Sequence, residues 1–126
     1  MKLILALATA SVFAFGWQAK PATKAAATKK PAPVTFAKVQ PIFNLNCLGC
    51  HSGPRARGGI DFSTYKSVME GGEDGPIVKA GAPKHSLLVE ALRGAPNVRQ
   101  MPPRRAPLSD AEITLIESWI KAGAKG

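Results

Sequence analysis

The chain has 126 residues, which is enough for one small domain with a single hydrophobic core. Its formal net charge is +9, from 17 basic and 8 acidic residues. No basic helix and no basic strip interleaved with aromatic residues accompanies this charge, so the composition argues against a nucleic-acid-binding protein.

The N-terminal residues have the layout of an export signal. A basic start at Lys2 precedes an apolar run over residues 3–15, and small residues follow. This pattern predicts a secretory signal peptide at residues 1–19, cleaved near residues 16–19. The run is shorter than the roughly 20 apolar residues that cross a bilayer, so a cleaved signal is favoured over an uncleaved membrane anchor. We therefore expect a periplasmic or secreted protein.

A lysine-rich segment follows the signal. Residues 20–33 contain four lysines and three prolines but no aromatic or large aliphatic residue, which predicts a solvated, partly extended linker. Without this linker and Lys2, the domain expected at residues 34–126 has 12 basic and 8 acidic residues, a net charge of +4. This excess would suit an acidic partner protein or an anionic membrane surface, although a merely solvated surface explains it equally well.

The domain begins with a predicted helix that ends just before the cysteines. Its apolar residues recur at near-helical spacing, at Phe36, Val39, Ile42 and Phe43. Because Pro41 lies inside this pattern, the helix is expected either to begin late, with Pro41 in its first turn, or to bend there. A loop is expected over residues 52–60.

Three further helices are predicted. Ser63 is expected to cap the second, which ends at Gly71. Residues 83–93 predict the third. The fourth has the strongest signals, with Ser109 and Glu112 in capping-box spacing before a run of isoleucines. No strand pattern of useful length occurs, so the sequence predicts an all-α fold.

The sequence Cys47-Leu48-Gly49-Cys50-His51 carries the most specific signal. Two thiols at this spacing can add to the two vinyl groups of one haem, and the adjacent imidazole can ligate its iron. A thioredoxin-like redox pair would need a βαβ context, and structural zinc would need two further ligands at similar spacing. A disulfide would close too short a loop to stabilise the chain usefully. The motif therefore predicts one covalent haem c.

The second axial ligand must come from elsewhere in the chain, and the candidates are Met69, His85 and Met101. Met69 lies on the apolar stripe of a predicted helix, where core packing explains it. His85 lies at the polar start of a helix, where a solvent-facing role explains it. Met101 is followed by two prolines in an irregular stretch, so we expect its thioether to be directed at iron, which would raise the reduction potential.

Three more residues are candidates for supporting roles around the haem. Arg55 and Arg57 could pair with its propionates, or be solvated loop arginines. A carbonyl near Pro54 could accept the second ring proton of His51. With both axial positions filled, the sequence favours a one-electron carrier over an enzyme. The alternative is a haem sensor or peroxidase-like protein with an open or His-ligated sixth position.

These residues carry a resemblance to the class I cytochrome c fold, and more closely to the planctomycete-type cytochrome c domain. The motifs that carry it are Cys47 to Pro54, Gly58-Gly59-Ile60, Gly71-Gly72 to Gly75-Pro76, Ser86-Leu87-Leu88, Met101-Pro102-Pro103, Leu108-Ser109 and Trp119 to Ala124. The resemblance implies about four short helices around the haem, thioethers at Cys47 and Cys50, and iron ligation by His51 and Met101. It also implies electron transfer with redox partner proteins.

Overall fold

A computed structural model of the chain describes residues 32–126. The predicted signal peptide and nearly all of the predicted linker lie outside these residues. The described part contains four α-helices and no strand, which confirms the all-α prediction. The helices are α1 (Phe36–Asn46), α2 (Tyr65–Glu70), α3 (Leu87–Arg93) and α4 (Asp110–Lys121), and short 3₁₀ turns occupy Gly53–Arg55, Arg57–Gly59 and Pro83–His85. None of the helices described is both long enough and apolar enough to cross a membrane.

Helix α1 runs through its proline. It begins at Phe36, so Pro41 is in its second turn, and of the two expected alternatives the late start is wrong. Pro41 has no N–H to donate to the carbonyl of Ala37, one turn earlier. Ala37 is exposed, so water can satisfy that carbonyl. The helix buries four apolar side chains, and their burial offsets the lost hydrogen bond. These are Phe36, Val39, Ile42 and Phe43.

Helix α2 begins one residue later than the sequence pattern indicated. Thr64, and not Ser63, is its N-cap, because the Thr64 hydroxyl accepts the backbone N–H of Ser67 at 3.1 Å. In return, the Thr64 N–H donates to the Ser67 hydroxyl at 3.2 Å. Ser63 instead donates its own N–H to a carboxylate oxygen of Asp61 in the preceding turn.

The helix expected over residues 83–93 is divided at Ser86. The turn Pro83–His85 precedes this residue and α3 follows it. The buried Ser86 hydroxyl accepts the Lys79 N–H at 2.9 Å and donates to the Ala82 carbonyl at 3.0 Å. A serine side chain that bonds nearby backbone groups competes with a continuous helix, which explains the break.

Helix α4 has the predicted capping box. The Ser109 hydroxyl accepts the Glu112 N–H, and the Ser109 N–H donates to the Glu112 carboxylate at 2.9 Å. The Ser109 hydroxyl also donates to the Glu112 carboxylate at 2.7 Å, and this bond, together with the one from the Ser109 backbone N–H, holds the pKa of Glu112 below its usual value. The helix buries one face, formed by Ile113, Ile116, Trp119 and Ile120.

The core lies between α1 and α4. The Trp119 ring is 5.8 Å from Phe36 and 6.2 Å from Phe43, measured between ring centroids. The C-terminal residues close over this cluster, because the Lys125 carbonyl accepts both the Trp119 indole N–H at 2.8 Å and the Phe36 N–H at 2.9 Å. The packing fixes the end of α1 from which the cysteine motif continues.

Replacing Ile116 by Ala tests this core. Ile116 is fully buried on α4, so the substitution should lower the free energy of unfolding by about 2–5 kcal/mol. Thr114→Ala, on the exposed side of the same helix, is the control and should change it by less than about 0.5 kcal/mol. Urea denaturation of the purified proteins measures both, and equal effects would contradict the packing.

Candidate functional site

The cysteine motif forms one hydrogen-bonded turn at the end of α1. The Cys47 N–H donates to the Phe43 carbonyl at 2.8 Å, and the His51 N–H donates to the Cys47 carbonyl at 2.9 Å. These are the bonds of a continuing helical turn, which brings residues four apart to the same side of the backbone. Cys47 and His51 therefore reach the wall of the same cavity.

That cavity has a volume of about 360 Å³, within the range of cofactor sites. All four residues predicted to hold the haem, Cys47, Cys50, His51 and Met101, line it. Its remaining wall is largely apolar and is formed mainly by Ile60, Phe62, Leu88, Leu92, Leu108, Pro102 and Pro103. A large, flat and mostly apolar group with polar substituents matches this lining.

Met101 belongs to the loop between α3 and α4, and its backbone is anchored. Its N–H donates to the carbonyl of Ala91 in α3 at 3.0 Å. Of the three candidates for the second axial position, only Met101 lines the cavity. Met69 is half-buried against the core, and His85 is exposed in its 3₁₀ turn.

The His51 side chain is half-buried and packs against Phe62, and the two ring centroids are 5.8 Å apart in a T-shaped arrangement. The backbone is also fixed, because the Phe62 N–H donates to the His51 carbonyl. Nδ1 of His51 is buried without a hydrogen-bond partner among the described residues. The expected bond to a carbonyl near Pro54 is therefore absent, and Pro54 is exposed in the turn Gly53–Arg55. An unpartnered buried imidazole nitrogen costs about 1–3 kcal/mol, and no group of the described chain offsets that cost at Nδ1.

The two cysteines are free thiols in different environments. Burial raises the pKa of Cys47 to about 12, because the thiolate is poorly solvated there, whereas Cys50 is exposed. Reactive redox cysteines have a lowered pKa, so the raised value at Cys47 argues against a dithiol redox pair. Within residues 32–126, no three His, Cys, Asp or Glu side chains group as ligands for a metal ion.

Of the two arginines singled out in the sequence, Arg57 lines the cavity and Arg55 does not. Three arginines that the sequence patterns did not single out join Arg57 in the lining: Arg99, Arg104 and Arg105. Their clustering around Met101 was the signal that could have identified them. Guanidinium groups at the cavity suit a ligand that carries carboxylates, as haem does.

The turn that carries Arg57 is pressed against Gly72. The Glu73 N–H donates to the Gly58 carbonyl at 2.9 Å. A Cβ atom on Gly72 would collide with that carbonyl oxygen and would lie 2.6 Å from Cγ1 of Ile60. Gly58 and Ile60 both line the cavity, so the absence of a side chain at Gly72 sets the position of this wall.

Gly72→Ala tests this contact. The added methyl group should displace the turn Arg57–Gly59 and lower the free energy of unfolding by about 1–3 kcal/mol, the usual cost of overpacking. Glu73→Ala removes the exposed side chain of the residue next to Gly72. It keeps the hydrogen bond from the Glu73 N–H to the Gly58 carbonyl, so it should change the free energy of unfolding little. Urea denaturation distinguishes the two, and a Gly72→Ala protein as stable as this control would contradict the close approach.

Comparison with known proteins finds a family that matches the part of the chain that carries these residues. Residues 47–105 match the family model described as planctomycete cytochrome C. The matched stretch begins at the first cysteine of the motif and extends past Met101. No curated protein and no solved structure matches the chain.

Proposed function

We propose that this chain is an exported mono-haem electron carrier, because its residues 47–105 match the family model described as planctomycete cytochrome C, which suggests a haem-binding protein. One observation carries the proposal. The two thiols and the imidazole of the cysteine motif and the thioether of a distant loop, which a His/Met-ligated haem c requires, line one largely apolar cavity.

Each of these residues has a distinct role in the proposed carrier. Cys47 and Cys50 would hold the haem through thioether bonds, each formed by addition of an S–H across a vinyl group. His51 would supply a nitrogen ligand and Met101 a sulfur ligand to its iron, and the thioether would favour the ferrous state. The haem would supply reversible one-electron exchange. The apolar wall of the cavity would exclude water from it.

The lining of the cavity supports a carrier and not an enzyme. None of the carboxylates among the described residues lines the cavity, and His51 is the one histidine that does. If His51 is engaged by iron, the lining offers no side chain for general acid or base catalysis. A carrier needs none, because the electron passes through the edge of the macrocycle.

Covalent attachment can be tested on the full chain made with an export and haem-attachment system. We expect an intact mass of the cleaved chain plus one haem, and a c-type pyridine haemochrome spectrum. Replacing both Cys47 and Cys50 by Ala should abolish covalent haem, whereas the neighbouring substitution Ser52→Ala should preserve it. A colourless protein with the mass of the polypeptide alone would refute the proposed function, and the same measurement reports whether cleavage occurs near residues 16–19.

Met101→Ala tests the second axial ligand. We expect loss of the near-infrared band that a thioether gives with ferric iron, and carbon monoxide binding to the ferrous protein. Axial ligands set haem potentials over roughly 0.8 V, so a fall on the order of 100 mV is expected. Met69→Leu, which changes a methionine that does not line the cavity, is the control. An unchanged spectrum and potential in Met101→Ala would exclude this ligand, and carbon monoxide binding to the wild-type protein would indicate an open position.

A further inference from the structure

The loop between α3 and α4, which carries Met101, is fastened at two places and is free between them. At Met101 itself, the backbone N–H donates to the Ala91 carbonyl of α3 at 3.0 Å. Beyond it, no backbone–backbone hydrogen bond involves residues 102–108 within the described part of the chain. Three of these seven residues are prolines, which have no N–H to donate. The placement of Met101 therefore depends on what holds the two ends of residues 101–110, a segment called the strap below.

The start of the strap rests on the residue that ends α3. Gly94 is the C-cap of α3 and has a φ of +67°. The side-chain amide of Gln100, the residue before Met101, lies against Gly94, because a Cβ atom built there would be 3.2 Å from Cδ of Gln100. A side chain at position 94 would crowd this amide. The last turn of α3 therefore holds the start of the strap through both a backbone bond and a side-chain contact.

The end of the strap is held by the residue next to Gly94. Nη1 of Arg93 donates to the carboxylate of Asp110, the last residue of the strap, at 2.7 Å. Nε and Nη2 of the same guanidinium donate to the two carboxylate oxygens of Glu117 at 3.0 and 3.2 Å. A two-point contact of this kind fixes the plane of the guanidinium group. Arg93 does not line the cavity, so it acts on a group bound there through the residues that it positions.

We propose that the last turn of α3, residues 91–94, fixes Met101 at the cavity by holding both ends of the strap, with Arg93 as the positioning residue for the second axial ligand. The inference rests on the proposed function, because it requires Met101 to bind haem iron. With both ends of the strap on one helical turn, Met101 can leave the cavity only if contacts with that turn break. A small ligand that replaces the thioether therefore binds with an apparent affinity lowered by the cost of breaking them.

Imidazole binding to the ferric, haem-loaded full chain measures how firmly Met101 is held, because imidazole binds only where the thioether has left the iron. Loss of the near-infrared thioether band reports the same exchange. Arg93→Gln removes the charge-assisted bonds to both carboxylates. The matched control is Lys66→Gln, which breaks an exposed ion pair with Glu70 on α2, and neither residue of that pair lines the cavity.

We expect Arg93→Gln to bind imidazole about 5-fold more tightly than the wild type, the effect of losing roughly 1 kcal/mol of ion-pair energy. Lys66→Gln should bind imidazole like the wild type. Arg93→Lys keeps the charge but lacks the fork that reaches both carboxylates, so its affinity should lie between those of Arg93→Gln and the wild type. An imidazole affinity of Arg93→Gln equal to that of the wild type would overturn the proposal.

Gly94→Ala tests the contact at the start of the strap, and Gly81→Ala is its matched control. Both glycines have a positive φ, +67° at Gly94 and +79° at Gly81, so alanine is strained at either position. A Cβ atom meets Gln100 at Gly94, whereas it meets nothing within 4 Å at Gly81. We expect tighter imidazole binding in Gly94→Ala than in Gly81→Ala. Equal affinities in the two variants would contradict the role of this turn.

Val68→Ala distinguishes positioning of Met101 from a general loss of stability. Val68 is fully buried on α2 and does not line the cavity, so its truncation should lower the free energy of unfolding and leave the imidazole affinity unchanged. Imidazole binding tightened as much in Val68→Ala as in Arg93→Gln would overturn the proposal. If Arg93→Gln does not accumulate, Glu117→Gln is measured instead and must bind imidazole more tightly than Lys66→Gln. Absence of the thioether band from the wild type would instead defeat the proposed ligation by Met101 itself.

Discussion

The packing of α1 against α4 is the constraint on which the rest of the structure depends. Phe36 and Phe43 of α1 meet the buried Trp119 of α4, and the C-terminal carbonyls close over the cluster. Since the cysteine motif continues directly from α1, this packing determines where the thiols and His51 lie. The motif provides the two thiols and the imidazole, and the aromatic core fixes their position.

A second set of interactions holds the opposite side of the cavity. Met101 is hydrogen-bonded to Ala91 of α3, and Arg93 at the end of α3 donates to both Asp110 and Glu117 of α4. Exposed ion pairs contribute little each, about 0–1 kcal/mol, but the two-point contact of Arg93 with Glu117 fixes the orientation of the helices. The helices on both sides of the cavity, α1 and α3, are therefore held against the same helix, α4.

Local sequence was sufficient for features that depend on neighbouring residues. It predicted the four helices and the capping box of Ser109 and Glu112, because each depends on residues a few positions apart. It was wrong where neighbouring side chains competed for the same backbone groups. Thr64 was the cap instead of Ser63, and Ser86 divided a predicted helix. It left two alternatives for α1 at Pro41, and core burial excluded the late start.

The sequence by itself determined that two thiols and an imidazole lie within five residues, a pattern that predicts haem attachment and needs no folding to bring these groups together. Only the tertiary structure decided which distant side chains face that motif. It brought Met101 to the cavity and left Met69 and His85 away from it, and it brought four arginines into the lining while Arg55 and Pro54 stayed outside. The physical reason is that a cavity is formed by chain segments far apart in sequence, whose approach depends on how the whole core packs.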